Sequence, residues 1–213
     1  MVEPESHPPR ERAGLRRQLA DLRLRLADAN PAVLAAHTGA VYVADRELQL
    51  SLFGEPFVVT LPDLAVLDGR TRLEEPSLDT QTMLLLHLVT SNGAPLAGRW
   101  ISFRELPDGG FYHEAYQGYT GHEITKCFGD DLGALDSAAL SLGGQPQGMG
   151  DAAYSFVALP CVPLLVAYWL GDEDFPSSAR ILFDASAGNH LPTDACALLG
   201  STLTGRLIAH GRG

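Results

Sequence analysis

Hydrophobic residues recur at helical intervals near the start of the chain. Within residues 10–29, four leucines follow one another at steps of four, three and four, which predicts an amphipathic helix. These leucines are Leu15, Leu19, Leu22 and Leu26. Asn30-Pro31 ends this helix and begins a second, short helix that closes near Gly39. The stripe can pair with a partner helix or dock on the protein's own core, and we expect docking.

Further along, hydrophobic and polar residues alternate in the manner of strands. The segment E-L-Q-L-S-L-F, a turn at Gly54 and F-V-V-T-L predict a β-hairpin over residues 47–61. A second pair of strands, 153–159 and 162–170, flanks the corner Pro160-Cys161, and a third strand is predicted at 179–183.

Between these strands the pattern predicts three further helices. They cover residues 80–91 with Asp79 as N-cap, 132–142, and a stretch from 192 or 193 through Leu207. Residues 100–104 predict a short strand. Turns rather than crossover helices join most strands, so we predict the α+β class: an antiparallel β-sheet of N-terminal hairpin and C-terminal strands, packed with helices and preceded by an N-terminal helical arm. The predicted organisation is a disordered N-terminus (1–9), the arm (10–38) and a single α+β domain (39–213).

Composition and charge limit the kinds of partner and the location that we expect for this protein. The 213 residues include 15 basic and 26 acidic side chains, a formal net charge of −11, so nucleic acid is a poor partner. The N-terminus lacks an apolar signal region, and the longest apolar stretch, 157–170, contains two prolines, so we expect no membrane segment. Three cysteines without a C-x-x-C pair favour a reducing compartment, and we predict a cytoplasmic protein.

Standard catalytic signatures are absent from the sequence: it has no phosphate-binding P-loop, dinucleotide fingerprint, nucleophile elbow or H-E-x-x-H motif. The best local signal is a set of carboxylates. If Pro160-Cys161 is a hairpin corner, antiparallel pairing brings Asp151 to the same end of the sheet as Asp172 and Asp174. These three form a candidate site for a divalent cation, or they belong to a solvated acidic turn.

Four other residues are candidates for ligand binding. His87 follows an apolar run and is either a core histidine or a single axial ligand for a tetrapyrrole. Arg104 lies in a segment with Trp100 and Tyr112, where a guanidinium can grip a carboxylate or phosphate, or anchor a loop. We expect His87, Trp100, Arg104 and Tyr112 to share one site with the carboxylates.

Five separated segments carry a resemblance to a known family: L-L-L-H-L at His87, G-R-W-I-S-F-R-E-L-P at 98–107, G-D-A-A at 150–153, G-D-E-D-F-P at 171–176 and I-L-F-D at 181–184. Together they resemble the DUF3786 family, a domain of unknown function common in anaerobes, over residues 31–207. Some members are joined to a cysteine-rich iron–sulfur segment like that of corrinoid iron–sulfur proteins, whereas the three cysteines here stand far apart. The resemblance implies a setting in anaerobic metabolism and no assigned reaction.

The leading hypothesis is therefore a ligand- or partner-binding accessory protein, rather than an enzyme, linked to anaerobic metal or tetrapyrrole metabolism (corrinoid or haem). One alternative is a small metal-assisted hydrolase that uses Asp151, Asp172 and Asp174 around a divalent cation. Another is a structural subunit that docks, as a homodimer or on another protein, through its N-terminal helix. The cofactor is unassigned, and a tetrapyrrole and a divalent cation are the two candidates.

Overall fold

The computed structural model describes residues 8–44 and 46–211. These residues form two compact units. Unit 1 comprises the described residues up to Ala94 together with the short segment Asn189–Leu191, and unit 2 comprises the remainder. The predicted disordered segment 1–9 lies outside the described residues, apart from Pro8 and Pro9 at the start of the first helix. The predicted domain limits remain predictions.

Unit 1 combines three helices with a four-stranded sheet. Its elements are α1 (Pro9–Leu26), α2 (Pro31–Thr38), β1 (Val41–Val43), β2 (Glu47–Leu52), β3 (Glu55–Thr60), β4 (Val66–Asp68) and α3 (Leu78–Thr90). The sheet has the order β1-β2-β3-β4 with antiparallel neighbours, and the predicted hairpin forms its centre. Burial alternates along β2, where Leu48, Leu50 and Leu52 are all buried.

The amphipathic helix α1 docks on the protein's own core. Leu19, Leu22 and Leu26 are buried, and α1 packs against α3. A polar contact supports this packing, because Arg23 Nε donates to the Leu64 carbonyl at 3.2 Å. The predicted docking is therefore confirmed within unit 1.

Helices α2 and α3 each begin at a polar residue that caps the helix through its side chain. Asn30 caps α2 through its side chain, and Gly39 closes that helix in the left-handed conformation with φ 72°, as predicted. The prediction of Asp79 as the N-cap of α3 is wrong. Ser77 is the cap and accepts from Thr80 N at 3.3 Å, which leaves Asp79 in the first turn, where a carboxylate favours the helix dipole.

Unit 2 contains a five-stranded sheet and four helices. Its elements are β5 (Trp100–Ser102), two short 3₁₀ helices (Phe103–Glu105 and Gly109–Phe111), α4 (His113–Tyr119), α5 (Gly121–Phe128), α6 (Leu132–Ser141), β6 (Gln145–Pro146), β7 (Ala152–Leu159), β8 (Val162–Trp169), β9 (Ser178–Asp184) and α7 (Thr193–Gly211). A third 3₁₀ helix, Ala187–Asn189, begins in unit 2 and ends with the first residue of the segment assigned to unit 1.

The strand order of the second sheet is β5-β9-β8-β7-β6, with antiparallel neighbours throughout. Helix α5 packs on β9, α6 packs on β7, and α7 packs on both helices. The predicted α+β class with antiparallel pairing and an N-terminal helix is confirmed. The prediction that the hairpin and the C-terminal strands share one sheet is wrong, because they lie in two separate sheets. Throughout the described residues, no helix has both the length and the apolar composition needed to span a membrane.

The docking of α1 predicts unequal effects for two neighbouring leucines. Leu22 is 1% exposed and Leu24 is 77% exposed. We expect Leu22→Ala to lower the free energy of unfolding by about 2–5 kcal/mol, since it leaves a cavity under the helix. The matched control Leu24→Ala should change it by less than about 0.5 kcal/mol. Urea denaturation followed by circular dichroism measures both, and equal effects would contradict the docking.

Candidate functional site

The predicted ligand-binding residues fall in both units. His87 lies on α3 in unit 1 and is fully buried, whereas Trp100, Arg104 and Tyr112 belong to unit 2. Trp100 is half-buried and packs with Met149 and Trp169 against a small apolar cluster of the sheet. Arg104 and Tyr112 are exposed.

The strand predicted at 100–104 ends earlier than the alternation indicates. Beyond Ser102 the chain turns into a 3₁₀ helix, so the prediction that the strand continues to Arg104 is wrong. The cause is a capping box, in which the Glu105 carboxylate accepts from Ser102 N at 2.8 Å and from Ser102 Oγ at 2.9 Å. These hydrogen bonds lower the pKa of Glu105. The pattern S-x-x-E at residues 102–105 could have indicated this capping box from the sequence.

Arg104 and two aromatic residues are exposed on the 3₁₀ helices Phe103–Glu105 and Gly109–Phe111 or directly after them, and these two helices contact each other. Phe111 is 86% exposed and Tyr112 is 68% exposed. Within the described chain Arg104 has no ion-pair partner. We call Arg104, Phe111 and Tyr112 the aromatic–arginine surface. All three side chains are exposed to solvent, so two aromatic rings and a guanidinium are presented by two 3₁₀ helices that contact each other.

The predicted carboxylates lie at one end of the second sheet, as the hairpin predicted, and those of Asp151 and Asp172 accept hydrogen bonds from backbone N–H groups. Asp151 Oδ2 accepts from Leu170 N at 2.8 Å, which ties the start of β7 to the end of β8. Asp172 Oδ1 accepts from the backbone N–H groups of Asp174 and Phe175 at 2.9 and 2.8 Å. All three carboxylates, including that of Asp174, are exposed.

The end of the sheet that holds these carboxylates is also the end at which β5 leads to Arg104. Strands β9 and β8 separate β5 from β7, a distance of about three strand spacings or roughly 14 Å. Across residues 8–44 and 46–211, no group of three or more His, Cys, Asp or Glu side chains is arranged to hold a metal ion.

A carboxylate that the sequence reasoning missed is buried in unit 2. Asp184, 3% exposed at the end of β9, accepts from Ala97 N, Gly98 N, Ser186 N and Ser186 Oγ at 2.6–2.9 Å. Burial raises the pKa of Asp184, but these four hydrogen bonds outweigh burial and leave the pKa below its ordinary value. The I-L-F-D segment therefore anchors the chain that leads into β5. A carboxyl group directly after an apolar strand was the available signal.

The most unusual polar group of unit 1 is a buried cluster of two histidines and one serine. His87 and His190 are both 0% exposed, and Ser91 is 7% exposed. The Ser91 hydroxyl lies 3.1 Å from His87 Nδ1 and 3.3 Å from His190 Nδ1. Each outer nitrogen faces a backbone carbonyl, that of Thr38 for His87 and that of Ala94 for His190.

The sequence contained only part of this arrangement. His87 and Ser91 are four residues apart on one helix, a spacing that brings their side chains together. His190 lies 103 residues further along the chain than His87, and no local pattern links the two. Ser91 and His190 were therefore missed as neighbours of His87.

The distances in this cluster resemble those of a serine nucleophile and its base, since 3.1 Å is within hydrogen-bond reach and a carbonyl orients the far nitrogen. A nucleophile must also meet its substrate. Both rings are fully buried and Ser91 is nearly so, so the cluster has no access for a substrate. The cluster can therefore bind and release protons but cannot act on a substrate.

The pKa of His87 is lowered to about 4, chiefly by burial and to a smaller extent by the nearby His190 ring, although hydrogen bonds to the carbonyls of Thr38 and His190 oppose the effect. The neutral imidazole is therefore the folded form at neutral pH. The unfolded chain binds a proton at His87 below about pH 6.5, whereas the folded chain does so only near pH 4.

Asp184→Asn tests the buried carboxylate. The amide offers one acceptor oxygen where the carboxylate offers two, so we expect a loss of about 1.5–3 kcal/mol of unfolding free energy at pH 7. Because the folded pKa is lowered, the contribution of Asp184 is present above its unfolded pKa and disappears as the pH falls through the folded one. Denaturation at pH 7 and pH 3 should show the gap to wild type narrowing. The exposed control Asp174→Asn should show no comparable gap.

His87 predicts a second dependence of stability on pH. Acidification from about pH 6.5 to about pH 4 should cost up to about 3 kcal/mol, since the unfolded chain gains a proton that the folded chain lacks. This slope is measured as the difference between wild type and His87→Gln in urea titrations across that window. The exposed-histidine control His122→Gln should keep the wild-type slope, and a variant without His87 that also keeps it would contradict the prediction.

The comparisons with known proteins agree with the resemblance in the sequence. The model of the family described as Domain of unknown function (DUF3786) matches residues 30–206, most of the 213 residues. Searches of curated proteins and of solved structures gave no match. All five segments that carried the resemblance lie within the matched range, from the helix of His87 to the strand that ends at Asp184. The chain therefore belongs to the DUF3786 family.

Proposed function

We propose that this protein is a non-catalytic accessory protein that binds a ligand through the aromatic–arginine surface of unit 2. The observation that carries the proposal is the exposure of Phe111 and Tyr112, at 86% and 68%, at a 3₁₀ helix that contacts the 3₁₀ helix of Arg104. Large aromatic side chains in such exposed positions are costly to keep in water and are typical of binding sites.

The polar groups that could support catalysis have other roles. Asp151, Asp172 and Asp184 accept hydrogen bonds from backbone N–H groups that shape turns of unit 2. The buried histidines of unit 1 bond to carbonyls and to Ser91. These placements favour a binding protein over an enzyme, and no specific contact favours the hydrolase alternative.

The chemistry of the surface fits a flat conjugated ligand that carries carboxylates. Aromatic rings offer stacking faces, and a guanidinium can pair with a carboxylate in a bidentate manner. A tetrapyrrole such as haem combines both features, and the family resemblance supports a setting in anaerobic metal or tetrapyrrole metabolism. Arg104 would pair with an acidic side group, while Phe111 and Tyr112 would cover part of the ring.

We propose a cytoplasmic location, which the three free cysteines support, since Cys127, Cys161 and Cys196 form no disulfide. A homodimer or structural docking through α1 would need the face opposite to its buried leucines. That face carries Leu24, which is 77% exposed. The proposal of ligand binding does not depend on such a dimer.

A hemin titration tests the proposal. We expect the wild-type protein to shift and sharpen the Soret band, and the pair of changes Arg104→Ala and Tyr112→Ala to raise the dissociation constant at least about tenfold, since a tenfold change corresponds to the loss of one good contact. Cobinamide, followed by its visible spectrum, provides the corrinoid arm.

Two exposed residues of the same unit serve as matched controls. Phe175→Ala removes an aromatic ring that is 71% exposed, and Arg180→Ala removes an exposed arginine. Both should leave hemin affinity within about twofold, a change below 0.5 kcal/mol. Equal losses in the controls, or a wild-type protein that binds neither hemin nor cobinamide, would refute the tetrapyrrole assignment.

A further inference from the structure

Unit 1 contains an Asn-Gly pair shortly after α3, at residues 92 and 93. A backbone nitrogen can attack the side-chain amide of a preceding asparagine, and glycine hinders this attack least because it has no side chain. The other two asparagines of the sequence are poor substrates. Asn30 precedes Pro31, which has no N–H group, and Asn189 precedes the fully buried His190. Asn92 is therefore the asparagine at which we expect the reaction.

The backbone after Asn92 favours glycine. Gly93 has φ 80°, a left-handed conformation in which other residues are strained. A Cβ atom at this position would also lie 2.8 Å from Cδ2 of the His37 ring. Asn92 and Gly93 are both exposed, so water reaches the pair. The fold of unit 1 thus keeps a reactive pair in contact with solvent.

Hydrogen bonds hold both ends of the Asn92 side chain. Its Oδ1 atom accepts from Ala94 N at 3.0 Å, and its Nδ2 atom donates to Asn189 Oδ1 at 3.1 Å. The backbone N–H group of Asn92 donates to the Asn189 carbonyl at 3.2 Å. Ring closure requires the side-chain amide to turn its face to the Gly93 nitrogen, and the bonds at its two ends oppose this rotation. The contact with Asn189 therefore slows the reaction.

We propose that Asn92 is a deamidation site, that the segment Asn189–Leu191 protects it from reaction, and that isoaspartate at this position loosens the segment. The segment belongs to unit 1, although Asn189 lies 97 residues further along the chain than Asn92. Detachment of the segment frees one end of the side-chain amide. The extent of modification therefore increases with the fraction of time for which the segment is detached.

The reaction consumes only water. The Gly93 nitrogen loses its proton and forms a bond to Asn92 Cγ, the bond from Cγ to Nδ2 breaks, and ammonia leaves with that proton. Water then opens the cyclic imide at one of its two carbonyls. One product is aspartate, and the other is isoaspartate, in which the main chain runs through the Cβ atom. No group is oxidised or reduced.

The two products differ in their effect on the attachment. Aspartate places a carboxylate where the amide was, and the Asn189 side chain can turn over and donate to it from Nδ2. Isoaspartate carries its carboxylate on the Cα atom, one carbon short of that position, and lengthens the main chain before Gly93 by one carbon. It therefore loses the side-chain contacts with Asn189 and with Ala94 N.

Peptide mass spectrometry of the full-length protein, incubated in the folded state at pH 8, tests the site. We expect deamidation at Asn92 and none at Asn30. Asn189→Ala should accelerate the reaction at Asn92 by about threefold to tenfold, the factor that corresponds to the loss of one hydrogen bond. The matched control Gln18→Ala, which removes an exposed amide of the same unit, should leave the rate unchanged.

Two results would overturn this part of the proposal. Asn92 that stays unmodified both in the wild type and in Asn189→Ala would rule out the site, and equal rates in these two proteins would rule out protection by the segment. A synthetic peptide of residues 88–96 provides a comparison that needs no variant to fold. It should react at least about tenfold faster than the folded wild type, since neither end of its amide is held.

Hydrogen exchange of the amides of Asn189–Leu191 tests the loosening. Chromatography separates the isoaspartate form of the incubated wild-type protein from the unmodified form. We expect exchange in this segment to be at least about threefold faster in the isoaspartate form, because the attachment has lost side-chain hydrogen bonds. Asn92→Asp, which matches the other product, should exchange like the unmodified protein. Equal exchange in the isoaspartate and unmodified forms would refute the loosening.

Discussion

The second sheet depends on one buried carboxylate. Asp184 ends β9, and its two oxygens collect four hydrogens from Ser186 and from the backbone of Ala97 and Gly98. The charged group is tolerated in the interior because every oxygen is satisfied. Through these bonds the incoming chain is held beside β9, where Trp100 pairs with Asp184 and Ile101 with Phe183.

The position of the aromatic–arginine surface follows from this anchor. Strand β5 is only three residues long and pairs with β9 alone, so it has little stability of its own. Once Asp184 fixes its start, the Ser102–Glu105 capping box fixes its end and turns the chain into the first 3₁₀ helix. The carboxylates of Asp184 and Glu105 thus determine where the chain leaves the sheet and enters the 3₁₀ helix that contains Arg104. The exposed side chains are carried by a segment whose backbone is restrained at both ends.

Local patterns in the sequence predicted the elements that bury one face. The alternating leucines of β2, the corner between β7 and β8, and the leucine stripe of α1 all follow from a period of two or of about 3.6 residues. The errors arose where side chains bond to the backbone. Ser77 rather than Asp79 caps α3, and Glu105 ends a strand that alternation would have continued to Arg104. Hydrophobic periodicity contains no information on such bonds.

The candidate sites were harder to predict because their contacts are distant in sequence. Asp151 and Asp172 were correctly placed at one end of the sheet, since strand pairing determines that end. Their hydrogen bonds to the backbone depend on turn geometry that no spacing reveals. The contact between His87 and His190 could not be inferred at all, because it depends on a three-residue excursion of the chain into unit 1.

That excursion has a consequence for synthesis on the ribosome. All α-helices and strands of unit 1 are complete once residue 90 has been made, yet the unit still lacks Asn189–Leu191. Translation adds roughly 5–20 residues per second. During the synthesis of about a hundred further residues, His87 and Ser91 therefore cannot make their contacts with His190. The final polar contacts of unit 1 are made late, after β9 has emerged, and the interior of the N-terminal half is closed by a residue from near the C-terminus.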